Sequence, residues 1–196
     1  MVTTGPGATN LITAVAGAWI DSIPMLIVSG QAKRADRLNG RPIRQGGVQE
    51  VDIVPMVSSI TKYAVTVEDP ASTRLHLDKA LSLMRSGRPG PVWLDIPLDV
   101  QATPVDSDNW LRLDEAKEIV GGVEPSDLSN LIGLLQKAER PLLLAGHGVR
   151  LSGAAERFPA LVEQLNVPTV LTWNALDLLP HDHPLNIGRP GVVAAR

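Results

Sequence analysis

Four short apolar runs that each open on proline constrain this chain more than any other feature: Pro24-Met-Leu-Ile-Val28, Pro91-Val-Trp-Leu-Asp-Ile96, Pro141-Leu-Leu-Leu-Ala145 and Pro168-Thr-Val-Leu-Thr172. Runs this short and this apolar read as strands buried on both faces, the condition of a parallel sheet. Proline is tolerated at a strand's first residue because its missing N–H falls outside the ladder. Parallel strands need crossover helices, and the intervening segments provide them. Leu77, Ala80, Leu81 and Met84 fall at i, i+3, i+4 and i+7 behind an Asp69-Pro70 start, which supplies an N-cap and an N1 proline. The fold class is therefore α/β, with two three-layer parallel-sheet units.

In chain order, Val2-Thr3 reads as the tail of a strand. Leu11 to Ile20 is apolar on nearly every face, the pattern of a helix buried all round. Residues 32–47 are polar and form a long loop, and loops of that length in compact domains are usually functional or disordered. Val48–Met56 reads as a short helix and Thr61–Val67 as a strand. From residue 98 the periodicity fails, so residues 1–100 form one domain, 101–124 a linker, and 125–196 a second domain. Pro125-Ser126-Asp127 opens a helix with Leu128, Leu131, Ile132 and Leu135 on one face. Ser152 is expected to cap a further helix, which Pro159 should kink or shorten. Trp173 to Arg196 shows no closing element, and both ends read as interrupted units, so the chain is expected to be a piece of a longer protein.

The balance of residues narrows the function. Of 196 residues 44% are apolar and 20% charged, with a net charge of −3, and no basic run marks a nucleic-acid or membrane partner. The absence of cysteine removes disulfides, thiolate metal sites and thiol catalysis. The four histidines are scattered except for His181-Asp182-His183, a poor metal arrangement. No apolar run spans a bilayer and no leader precedes the fold, so a cytoplasmic location is expected.

Thr4-Gly5-Pro6-Gly7-Ala8-Thr9-Asn10 turns a strand end into a helix start. Such a turn presents backbone N–H groups beside the carboxyl edge of a sheet, where α/β proteins bind ligands. By itself a Gly-Pro-Gly turn is more often a plain connection. Gly146-His147-Gly148 is likewise either a dinucleotide-approach turn or a tight strand-to-helix link.

Taken together, Thr4–Asn10, Ser29-Gly-Gln31, Val48-Gln-Glu50, Ser59-Ile-Thr-Lys62 and Ser86-Gly-Arg-Pro-Gly-Pro-Val-Trp-Leu-Asp-Ile-Pro97 follow one another as in acetolactate synthase-like, thiamine-diphosphate-dependent enzymes. The resemblance is dense over residues 1 to 100 and looser over 125–190. It implies the later part of a pyrimidine-binding domain followed by most of a Rossmann-like central domain. Gly5, Pro6, Gly7 and Asn10 then line the aminopyrimidine pocket, Gln49 points toward the reacting end of the cofactor as the catalytic candidate, and Arg88 matches a position that contacts FAD. Mg²⁺ is expected through a third domain, together with a small 2-oxo acid substrate such as pyruvate and a homodimer or homotetramer. Val48 and Leu98 stand where acetolactate synthases usually carry phenylalanine and lysine, which points to another 2-oxo acid or acceptor. The family's activating glutamate and Gly-Asp-Gly…Asn metal motif are not expected in this chain, so it is expected to be inactive alone. The alternative is a Rossmann-like FAD- or NAD-binding module without catalysis.

Overall fold

The computed structural model describes residues 1–106, 108, 110, 111, 113 and 122–191, in two compact units, Met1–Gly121 and Gly122–Arg196. In the first unit β1 (Leu26–Gln31), β2 (Tyr63–Thr66) and β3 (Val92–Pro97) form a parallel sheet in the order β1-β3-β2. Val2 adds one parallel bridge to Ser29. Its N–H donates to the Val28 carbonyl at 3.0 Å, and its own carbonyl accepts from Gly30 N at 3.0 Å. Proline costs the ladder a donor but not an acceptor: the Pro91 carbonyl takes the Lys62 N–H at 2.8 Å.

Side chains alternate across β3, and the two faces are covered by different helices. Val92 and Leu94 pack with Ala80 and Met84 of α4 (Thr73–Arg85). Trp93 packs with Ile27, Ala8 of α1 (Pro6–Thr9), Val15 of α2 (Ile12–Ile20), and Ile53 and Val57 of α3 (Ile53–Val57). Asp69 caps as expected, accepting from Ala71 N at 3.0 Å, although the first turn it caps is a 3-10 turn running into α4.

Several expectations need correction. Helix α2 is not buried all round: Val15 and Ala18 face the core, while Thr13, Gly17 and Ile20 are exposed. Apolar composition on every side shows only that burial is possible. The helix expected over Val48–Met56 begins at Ile53, because Gln49 takes φ +57° and breaks helical geometry before it. Asn10 follows α1 rather than starting it. The segment after β3 is not irregular from residue 98, since α5 (Leu98–Ala102) follows directly. Much of the linker expected over 101–124 lies outside the described residues.

The second unit holds α6 (Pro125–Lys137), β4 (Leu143–Ala145), α7 (Gly148–Leu151), α8 (Phe158–Leu165), β5 (Thr169–Leu171) and β6 (Asn186–Gly188). Its parallel sheet has the order β4-β5-β6. The Pro168 carbonyl again extends a ladder, accepting from Leu143 N at 2.9 Å. Ala145, Phe158, Val162, Leu171 and Leu179 form its core. Strand β6 falls in the stretch expected to be loop. Ser152 ends α7 instead of capping a helix, and Pro159 sits in the first turn of α8, where its missing N–H costs nothing. The expected apolar stripe of α6 is real but exposed, with Leu128 at 53% and Leu131 at 52%.

Candidate functional site

The bridge from Val2 to Ser29 delivers the following turn to the carboxyl edge of the first sheet, level with the end of β1. Gly5 takes φ +59° there and precedes Pro6, the N1 proline of α1. A Cβ on Gly5 would lie 2.3 Å from the Gln49 carbonyl oxygen. That spacing and that dihedral each demand glycine. The Thr4 hydroxyl sits within reach of both the Gln49 carbonyl (3.3 Å) and Gln31 Oε1 (3.1 Å), and its single proton serves one at a time. The turn and Gln49 are thus brought together across more than forty residues.

Gln49 holds a left-handed backbone that non-glycine residues seldom adopt, as do Ser22, Asn39 and the helix-capping Asn166. Its neighbour Glu50 accounts for the geometry. The Glu50 carboxylate accepts from Leu38 N (2.7 Å), Gly46 N (2.8 Å) and Gly47 N (2.9 Å). Burial pushes this carboxyl up, but those three backbone donors and the Arg37 charge outweigh it and hold it below its usual value. Gly46 and Gly47 are also sterically required: added Cβ atoms would lie 2.7 Å from the Asp36 carbonyl and 2.5 Å from Ala32 Cβ. The 32–47 loop is therefore tied back to Glu50 at Leu38, Gly46 and Gly47. Further ties are Arg34 to Asp99 at 2.7 Å and Arg37 to Glu68 at 2.5 Å.

Behind this edge lies a buried polar network on the strands. Asp95 is 1% exposed and pairs in register with Ser29 and Thr66. It accepts from Ser29 Oγ at 2.5 Å and from Gln31 Nε2 at 2.9 Å. Trp93 Nε1 donates to Ser29 Oγ at 2.8 Å. Burial pushes the Asp95 carboxyl up despite these donors. Ser29, Gln31 and Asp95 were visible as polar residues in otherwise apolar strands, which is the signal that could have marked the network.

Pro6, Asn10 and Gln49 are exposed at the edge. Neither the Asn10 nor the Gln49 side-chain amide has a partner among the described residues. A polar cleft of about 350 Å³ is lined by Gln31, Arg37, Arg41, Glu50 and Asp52. A second cleft of about 640 Å³ is bordered by Val2, Thr4, Gly30, Ile96 and Leu98. Val48, the other position that departs from the acetolactate synthase pattern, is 87% exposed.

Arg88 does not join this group. It precedes β3 and so lies at the amino edge of the sheet, opposite the Gly5 turn. There Nε donates to Ser22 Oγ at 2.6 Å and Nη2 to the Ile20 carbonyl at 3.4 Å, a cation placed on the end of α2 where the helix dipole favours it. In the second unit His147 Nδ1 lies 3.2 Å from the Asn174 carbonyl, and Arg150 pairs with Asp177 at 2.6 Å. An apolar cleft of about 640 Å³ borders Gly146, Gly148, Leu144 and Phe158. Among the described residues no three His, Asp or Glu side chains stand close enough to hold a metal ion, and no helix is long and apolar enough to cross a membrane.

Residues 1–56 match the family model for the thiamine pyrophosphate enzyme, N-terminal TPP binding domain, and residues 128–196 that for the thiamine pyrophosphate enzyme, central domain. The chain belongs to the thiamine pyrophosphate enzyme family. It is 35% identical over 194 residues to the acetolactate synthase large subunit of Lactococcus lactis, covering 98% of this chain and 32% of that one. It is 36% identical over 195 residues to the glyoxylate carboligase of Escherichia coli O157:H7, covering 98% and 31%. A probable acetolactate synthase large subunit of Methanocaldococcus jannaschii is 33% identical over 196 residues, with 97% and 32% covered. The chain therefore spans about a third of the length of these relatives. The matched N-terminal segment contains the Gly5 turn, Gln31 and the Gln49-Glu50 pair.

Proposed function

We propose that this chain supplies the pyrimidine-side wall of a thiamine-diphosphate site in an acetolactate synthase-like carboligase acting on a 2-oxo acid. The observation that carries the reading is the seating of the Gly5 turn on the Gln49 backbone, with the Asn10 and Gln49 amides exposed at the same edge and without a partner among the described residues. The donor set suits an aminopyrimidine. Glycine and proline at the turn leave no side chain to hold a flat ring away, and carboxamides donate and accept without adding charge. Bound thiamine diphosphate would supply a carbon nucleophile for loss of CO₂ from a 2-oxo acid and transfer of the remaining fragment to an acceptor. In this chain Pro6 and Asn10 orient the ring, and Gln49 faces the reacting end as the catalytic candidate. Val48 and Leu98, both exposed, border the space left for substrate.

The domain division 1–100, linker 101–124 and 125–196 belongs to the same reading, as do a homodimer or homotetramer, a cytoplasmic location, and Mg²⁺ held outside this chain. A second reading, a flavin or nicotinamide dinucleotide held without catalysis, is favoured by the apolar cleft beside Gly146 and Gly148. That reading expects Arg88 as a flavin contact; its guanidinium gives two of its five N–H groups to Ser22 and Ile20. The chain alone is expected to release no CO₂ from pyruvate or glyoxylate with thiamine diphosphate and Mg²⁺, relative to a heat-killed control. Thiamine diphosphate should bind to it, and Asn10→Ala should weaken that binding several-fold. CO₂ release overturns the expectation of inactivity. Copurifying flavin absorbance without thiamine diphosphate binding favours the second reading.

A further inference from the structure

We infer that Gln31 is a positioning residue: a buried latch that sets the distance between the Gly5 turn and the Gln49 segment, with its own orientation dictated by Trp93 through Ser29 and Asp95. Its carboxamide is 5% exposed and makes four contacts to three separate parts of the unit. Oε1 accepts from Ala32 N at 2.9 Å and faces the Thr4 hydroxyl at 3.1 Å. Nε2 donates to the Val51 carbonyl at 2.8 Å and to Asp95 Oδ2 at 2.9 Å. One side chain therefore holds the residue before Gly5, the residue after Glu50 and the centre of the sheet.

The direction of every bond follows from one end. An indole N–H can only donate, so Ser29 Oγ must accept from Trp93 and spend its own proton on Asp95. Asp95, flanked by Ser29 and Thr66, is left as an acceptor. Oδ1 takes the Ser29 proton, and Oδ2 takes the Gln31 N–H at 2.9 Å with the Thr66 hydroxyl farther off at 3.5 Å, so a second oxygen at position 31 would find no proton there. Gln31 therefore turns its amino group inward and its oxygen outward, toward Thr4. A buried network satisfied in one arrangement only is rigid, and a mismatch inside it is costly because no water replaces the lost partner. Glutamate at position 31 would keep the shape and remove both donors.

The inference rests on the proposed cofactor wall for its meaning, but its test does not. Hydrogen exchange of the chain, read by mass spectrometry over residues 2–10 and 46–52, compares wild type with Gln31→Glu, Asp95→Asn and the double variant. Residues 73–85 and 92–97 serve as internal references. Gln31→Glu should speed exchange in both site segments about tenfold or more, with the references within about twofold. Adding Asp95→Asn should reverse most of that over residues 2–10 but only part of it over 46–52, where the Val51 carbonyl still lacks its donor. The carboxamide it introduces can donate to the new carboxylate at position 31 while its oxygen still accepts from Ser29. Thr4→Val, which leaves the Trp93–Ser29–Asp95–Gln31 chain intact but takes the hydroxyl from both Gln31 and Gln49, should loosen residues 2–10 more than 46–52. Equal loosening of sites and references, or no rescue in the double variant, overturns the latch. A parallel thiamine-diphosphate titration of wild type separates the two ideas. Absence of binding counts against the cofactor wall, while the exchange result still decides the latch.

Discussion

Two glycine-bearing turns follow or flank strand ends in this chain, Gly5-Pro6-Gly7 and Gly146-His147-Gly148, and the structure makes them physically different. At the first, an added Cβ on Gly5 meets the Gln49 carbonyl oxygen at 2.3 Å and φ is +59°. At the second, the nearest atom to a Gly146 Cβ is Thr172 Oγ1 at 3.5 Å, an ordinary contact, and a Gly148 Cβ meets nothing within 4 Å. The first turn is closed around another segment of chain. The second is a short connection with open space beside it. The same contrast extends to the charges. Glu50 is buried on three backbone donors in the first unit, whereas the Arg150–Asp177 pair of the second is exposed, and pairs of that kind contribute at most about 1 kcal/mol.

The sharpest way to break the comparison is Gly5→Ala. The new methyl group must displace a backbone oxygen while holding a left-handed dihedral, so a loss of about 3 kcal/mol from the first unit is expected in urea unfolding. A loss under about 1 kcal/mol would mean that the turn is as tolerant as the second one.

Glu50→Gln is expected to cost somewhat less, about 2 kcal/mol, because a neutral amide replaces a charged acceptor of three N–H groups. Acid should reproduce the effect on the wild type. The folded value of this carboxyl lies below its unfolded one, so its stabilising contribution is present above the ordinary carboxylate range and is lost as pH falls through the folded value. Exchange at Leu38, Gly46 and Gly47 amides, followed from pH 7 to 3 after correction for intrinsic rates, should rise in wild type and stay nearly level in the variant. Gly148→Ala should have the smallest effect and the opposite sign, a gain of about 0.5 kcal/mol from reduced unfolded-state freedom and better helix propensity at the start of α7. A clear loss of stability there would show that its glycine is needed for packing after all.

Much of the framework was legible because its signals are local. Apolar runs behind Pro24 and Pro91 overlap β1 and β3, those behind Pro141 and Pro168 contain β4 and β5, and the spacing of Leu77, Ala80, Leu81 and Met84 matches α4. Strand β6 escaped because Asn186-Ile-Gly188 has neither periodicity nor an apolar run; only pairing with β5 makes it a strand. The exposed side of α2 escaped for a related reason, since residue identity reports what a surface tolerates and not what covers it. At the site, the resemblance singled out Gly5, Asn10 and Gln49 individually, but the contact between Gly5 and Gln49 is made by backbone atoms far apart in sequence. Arg88, singled out as a flavin contact and not for the pyrimidine pocket, lies at the other end of β3, and motif order carries no information about which end of a strand a residue occupies. The Gln31–Asp95 network was hidden by its chemistry: single polar residues in strands read as strand ends until a fold turns them inward.

The left-handed backbone at Gln49 narrows what evolution or a designer could put there. Glycine would relieve the dihedral but discard the amide. Asparagine tolerates that dihedral better than most residues and retains the amide, yet it is one methylene shorter and would pull the carboxamide back from its reach. Every other side chain surrenders either the conformation or the chemistry. Backbone and side chain at this position thus answer to separate demands, and glutamine is the compromise that favours reach over ease of folding.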